Sequence, residues 1–88
     1  MKFADFECSP EIISKLATKH QVGLSEVQDV LDGDPWIRRG PGDRYVLYGR
    51  TSAGRYLLVV VRGLGRGICE IRTARDMTAT EKRAYWRR

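Results

Sequence analysis

The sequence predicts one α+β domain that runs strand, helix, helix, three or four antiparallel strands, and a terminal helix. Three observations carry this order. Ser9-Pro10 opens an amphipathic helical stretch, residues 45–74 read as strands punctuated by glycine, and Thr78 with Glu81 forms a capping box ahead of a last helix. A chain of 88 residues is enough for one core built from a small sheet and two or three helices.

The elements follow in order. Residues 3–8 alternate as Phe3, Asp5, Glu7 against Ala4, Phe6, Cys8, which suggests a short first strand. Ser9 can cap free amides, and Pro10 suits the first helical position because its missing donor would be unpaired there. Ile12, Ile13, Leu16 and Ala17 then form one apolar stripe, and the helix should end near His20, before Gly23. Ser25 with Gln28 reads as a second capping box, with Val27, Val30 and Leu31 as the apolar face. Asp32-Gly33-Asp34-Pro35 stops that helix. Residues 36–44 form an irregular connection around Gly40-Pro41-Gly42, with a short edge strand at Trp36–Arg39.

Residues 45–51 and 55–62 are two strands joined by a tight hairpin at Ser52-Ala53-Gly54. Leu57, Leu58, Val59, Val60 and Val61 are all apolar, so this strand is central and covered on both faces. Gly63-Leu64-Gly65-Arg66-Gly67 lacks the Lys-Ser/Thr that a phosphate loop requires and reads as a flexible hairpin. In residues 68–74, Cys69, Ile71 and Thr73 face one side, and Ile68, Glu70 and Arg72 the other. A helix then runs from about Ala79 to the end of the chain. Lys82, Arg83, Arg87 and Arg88 form a solvated helix end favoured by the helix dipole.

Charge is distributed unevenly. Residues 1–37 hold three Lys or Arg and seven Asp or Glu, a net of −4. Residues 38–88 hold thirteen and four, a net of +9. Twelve of those thirteen cations are Arg, whose planar fork suits phosphate or carboxylate, and a field of that sign favours a polyanion such as nucleic acid, or an acidic protein. Cys8 and Cys69 have no metal-ligand spacing and are too few for a secreted disulfide scaffold, which predicts buried thiols and no bound metal. No apolar run approaches about 18 residues and there is no signal-peptide start, which predicts a soluble, cytoplasmic protein without a membrane partner.

Three stretches carry a likeness to a known family. They are Lys19-His20-Gln21-Val22 with Ser25-Glu26-Val27 and Val30-Leu31; Gly54-Arg55-Tyr56-Leu57-Leu58-Val59; and Ile71-Arg72-Thr73-Ala74-Arg75-Asp76-Met77-Thr78 with Glu81 and Tyr85. In these the chain resembles the BrnT-like toxins, a branch of the RelE/ParE superfamily of small bacterial toxins from type II toxin-antitoxin systems. The likeness spans nearly the whole chain in order and spacing. It departs at Cys8-Ser9, where the family usually shows an aromatic and an acidic residue, and at Gln21, where glycine is common.

The resemblance implies a curved antiparallel sheet with helices packed on one face and a basic surface on the other. It implies a metal-independent endoribonuclease that inhibits translation and uses no cofactor. Its partners would be an RNA substrate and a cognate antitoxin that neutralises it, with promoter DNA met only through the antitoxin complex. Two other readings remain open on this fold: a non-catalytic module that binds nucleic acid or an acidic protein, and a toxin that blocks a topoisomerase.

RNA cleavage of this kind needs a base for the ribose 2′-hydroxyl, cations for the charged phosphorane and an acid for the leaving oxygen. Strand parity puts Glu70 and Arg72 on one face, with Arg62 across the sheet, and Arg50, at the end of its strand, is a candidate to join them. Arg75 leaves the strand inside the most distinctive motif. The expected assignment is Arg62, Arg72 and Arg75 on phosphate, with Glu70 or His20 transferring protons. Arg50, Arg62, Arg72 and Tyr48 would contact the nucleic acid. Structural roles compete for the same residues. Glu70 with Arg72 or Arg62 is also what an exposed cross-strand ion pair looks like, His20 can satisfy helix-terminal carbonyls, and Arg75 can tie the terminal helix to Asp76 or Glu26. Tyr45, Tyr48, Tyr56, Trp36 and Trp86 have faces that can stack bases, but for most of them core packing or edge covering is the better reading.

Overall fold

The computed structural model describes residues 2–88. Five strands form one sheet: β1 (Asp5–Glu7), β2 (Trp36–Arg39), β3 (Arg44–Arg50), β4 (Tyr56–Gly65) and β5 (Ile68–Asp76), in the spatial order β1-β5-β4-β3-β2. Three helices complete the chain: α1 (Pro10–Lys19), α2 (Leu24–Asp32) and α3 (Ala79–Arg87). The α+β class and the element order match the expectation. None of the helices among the described residues is long and apolar enough to cross a membrane.

Two details of the sheet differ from the expected one. Strands β2 to β5 pair antiparallel, but β1 pairs parallel with β5 and makes the sheet mixed. The cause is connectivity: both helices intervene between β1 and the rest, so the first strand returns to the edge through a long crossover. The helices also lie on two faces. α1 and α2 bury Leu16, Val27, Val30 and Leu31 against Leu47, Leu57, Val59, Val61, Cys69 and Ile71. On the opposite face, Tyr85 of α3 packs with Tyr48, Leu58 and Met77 beside Trp36, Tyr56 and Val60. β4 thus carries apolar side chains on both sides, as its continuous run requires.

Helix starts follow local chemistry, with one correction. Ser9 Oγ accepts from the Ile12 amide at 3.3 Å, with Pro10 next in the first turn. Thr78 Oγ1 accepts from the Glu81 amide at 3.2 Å while Glu81 Oε1 accepts from the Thr78 amide at 2.8 Å. The second helix, however, starts at Gly23 rather than Ser25: the Gly23 amide donates to Glu26 Oε1 at 3.1 Å. Glu26 is held in that position by Arg55, a partner 29 residues away.

β5 holds the most consequential irregularity. Val60 registers opposite Thr73 and Val61 opposite Ile71, so Arg72 is an extra residue at a β-bulge. The expected alternation holds for Cys69 and Ile71 and then shifts: Ala74, not Thr73, fills the next core position beneath the helices. A bulge changes strand phase and redirects the side chains beside it. Both cysteines are free; Cys69 is buried, where desolvation pushes its thiol up to about 11, and Cys8 is only half-buried.

Candidate functional site

The bulge at Arg72 brings two groups of residues together. Glu70 Oε1 accepts from Arg72 Nη1 at 3.2 Å and from Arg62 Nε at 3.3 Å, and Arg62 Nη1 lies 3.8 Å from Asp43 Oδ2. Arg62 and Glu70 are direct cross-strand partners in the β4–β5 register. These side chains are 44, 31 and 45% exposed for Arg62, Glu70 and Arg72, so water screens the pairs and each contributes at most about 1 kcal/mol of stability. A set held so loosely can exchange partners with an incoming anion at little cost.

Arg72 also belongs to a second group. Together with Thr73 it lines a groove of ≈ 290 Å3 whose other wall is α1: Ile12, Lys15, Leu16, Lys19 and His20. No carboxylate lines this groove; its cations are Lys15, Lys19 and Arg72, the last of them paired outside the groove with Glu70, and an imidazole stands beside them. Lys15 and Lys19 are four residues apart on one helix, which puts both on the same side, and His20 caps the end of that helix. The arrangement provides three cations for a phosphate and one group able to carry a proton.

The remaining candidates lie elsewhere. Arg75 forms a two-point pair with Glu81, at 2.7 and 2.9 Å, and also donates to the Asp76 carbonyl at 3.1 Å. That pair holds the Glu81 carboxyl down at about 2, with the Thr78 cap bonds adding to the effect, and raises Arg75. The helix tie therefore goes to Glu81, neither of the two acids expected. Arg50 does not join the Arg62 cluster. It registers opposite Tyr56, six residues of β4 from Arg62 and so about 20 Å away, because the hairpin sets the end of β3 beside the start of β4. Its guanidinium lies over the Tyr56 ring at 5.5 Å. Tyr48 is buried and packs on Trp36, with ring centroids 4.7 Å apart, which leaves little of its ring for a base.

Four further residues matter here beyond those the sequence motifs single out. Lys15 and Lys19 had a signal, the i, i+4 spacing that ends beside His20. Asp43 had none, because its link to Arg62 is tertiary. Arg55 lies inside a motif stretch whose pattern gives it no role of its own; it donates to Asp76, to Glu26 and to the carbonyls of His20 and Gln21. Those bonds fix the end of α1, and with it His20, against the start of β4. They raise Arg55 above the usual arginine range, the Asp76 bond contributing most. Among the described residues, no three His, Cys, Asp or Glu side chains are placed to hold a metal ion.

The mixed sheet, with two helices on one face and the terminal helix on the other, is an α+β architecture. A solved structure with this fold is that of the Brucella abortus ribonuclease toxin BrnT: it is similar over 84% of this chain and 96% of its own, with a TM-score of 0.71 and 12% sequence identity. Comparison of the sequence with protein-family models and with curated proteins gives no match.

Proposed function

We propose that this protein is the toxin of a toxin-antitoxin pair and acts as a metal-independent endoribonuclease that arrests translation. The observation that carries the reading is the groove lined by Lys15, Lys19, Arg72 and His20 with no carboxylate in its wall, on a fold shared with a ribonuclease toxin. An RNA phosphate seated there would meet Arg72 first, with Lys15 and Lys19 holding the charge that develops as the 2′-oxygen attacks. His20 is the proton carrier on the α1 side. Glu70 positions Arg72 and Arg62 and is the alternative proton carrier. Arg62 and Arg75 bind flanking phosphates once released from Asp43 and Glu81, whereas Arg50, held over the Tyr56 ring, and Tyr48, buried against Trp36, stand outside this track.

Neutralisation would come from a cognate antitoxin of acidic character, and promoter DNA would be met only in complex with it. A second reading is a non-catalytic module of the same fold that binds nucleic acid or an acidic protein. The mutual neutralisation of Arg62, Glu70, Arg72 and Asp43 favours it, since those charges already satisfy one another.

Inducible expression separates the two. The toxin reading expects growth arrest with RNA breakdown, relieved by Arg72→Ala and by Glu70→Ala in proteins that still fold. Normal growth with intact RNA, from soluble folded protein, would leave the binding module.

A further inference from the structure

A second cleft opens at the far side of the β4–β5 turn, away from the groove at Arg72. Its volume is ≈ 620 Å3, within the usual range for small-molecule sites. Lys2, Arg39 and Arg66 stand around it, and Phe3 and Tyr45 form an edge-to-face pair in its wall with ring centroids 5.5 Å apart.

The turn chemistry builds this shape. Arg66 and Gly67 form a two-residue hairpin turn with φ of +58° and +75°, both left-handed, the geometry that matches the twist of the flanking strands. That turn holds Arg66 at the rim. Glycine at 63, 65 and 67 leaves backbone rather than side chains along one wall.

Arg39 is the best-defined member. Its guanidinium lies over the Tyr45 ring at 5.5 Å, and its Nη2 donates to the Gly42 carbonyl at 3.2 Å. A guanidinium fixed by these two contacts offers a planar group on which a nucleobase stacks. Among the described residues, Lys2, Arg39 and Arg66 take part in no ion pair, and the one acid in the cleft, Asp43, is turned to Arg62. Three cations that make no ion pair, set beside an aromatic pair, select a ligand that is both planar and anionic.

We infer that this cleft binds a nucleoside monophosphate unit, with the base on the Arg39 and Tyr45 stack and the phosphate between Arg66 and Lys2. Such a unit comes either from a free nucleotide or from one residue of a single-stranded RNA. The inference uses none of the groove residues at α1, so it stands whether or not the protein cleaves RNA.

The test is a titration of the whole protein with adenosine 5′-monophosphate, followed by amide resonances. Saturable shifts are expected at Gly42, Gly63, Gly65 and Gly67. Inorganic phosphate and adenosine should each bind more weakly than the monophosphate. The double variant Arg39→Gln, Arg66→Gln should weaken binding by about tenfold or more, since each loses a charge-assisted bond. Its spectrum away from the cleft serves as the check that it folds. Displacement of the nucleotide by oligoadenylate assigns the unit to an RNA strand; absence of displacement assigns it to a free nucleotide, and either keeps the cleft. No saturable shift, equal binding by phosphate alone, or an unchanged affinity in the folded double variant would overturn the inference.

Discussion

Arg55 grips Asp76 through two parallel hydrogen bonds, Nε to Oδ1 at 2.7 Å and Nη2 to Oδ2 at 3.1 Å, and from that anchor it reaches the carbonyls of His20 and Gln21. One side chain thereby joins the end of α1, the start of α2, the start of β4 and the end of β5. Replacing it with leucine leaves the Glu26 carboxylate and two carbonyls without that partner. We expect Arg55→Leu to lower stability by about 2 to 3 kcal/mol, a drop of about 10 °C or more in melting temperature for a domain of this size. Calorimetry checks the stability, and weaker RNA cleavage by the fraction still folded checks that Arg55 also positions His20.

Glu81 makes stability depend on acid. Its folded carboxyl is held at about 2, first by the Arg75 bonds, against an ordinary value of 4.5. A group whose folded value is depressed contributes above its unfolded value and loses that contribution as pH falls toward the folded one. The loss therefore lies between pH of about 4.5 and about 2. With the solvent exposure discounted, it amounts to about 1 to 2 kcal/mol. Asp76, held low by Arg55, pulls in the same direction. Denaturant midpoints should fall across that window in the wild type and fall less in Glu81→Gln.

Gly49 of β3 lies against α2 at a distance only glycine allows. A Cβ there would stand 2.7 Å from Val30 Cγ1, closer than carbon atoms approach. Gly49→Ala should cost about 1 to 3 kcal/mol through overpacking, and Val30→Ala should recover part of that loss when the two are combined. A double-mutant cycle by chemical denaturation measures the coupling, which should be favourable.

Gln21 adopts a left-handed backbone with φ of +53°, turning the chain so that the Val22 amide donates to the Leu16 carbonyl at 2.9 Å. Glycine takes this conformation without strain. Gln21→Gly should be neutral or stabilising by up to about 1 kcal/mol, and Gln21→Val destabilising, as read from melting temperatures.

The legible parts of the fold are those with short-range causes. Ser9-Pro10 and the Thr78–Glu81 box act within one helical turn, and the continuous apolar run from Leu57 to Val61 fixes β4 as the centre of the sheet. What the sequence hid depends on distant partners. Ser25–Gln28 and Gly23–Glu26 are overlapping start signals, and Arg55, far along the chain, holds Glu26. The bulge at Arg72 leaves no pattern of its own, so alternation misplaces Thr73. Of the candidate residues, Arg62, Glu70 and Arg72 assemble because they sit in register or within two residues, whereas Arg75 turns to Glu81, six residues away, through the cap geometry of α3.

The central claim, that the groove beside the Arg72 bulge cleaves RNA, is tested most directly with purified protein and single-stranded RNA in the presence of a chelator. The account predicts cleavage that leaves 2′,3′-cyclic phosphate ends. Arg72→Ala should slow it by about a hundredfold or more while the variant keeps the wild-type melting temperature to within a few degrees. RNA left intact by folded wild-type protein, or cleavage undiminished in Arg72→Ala, would contradict it.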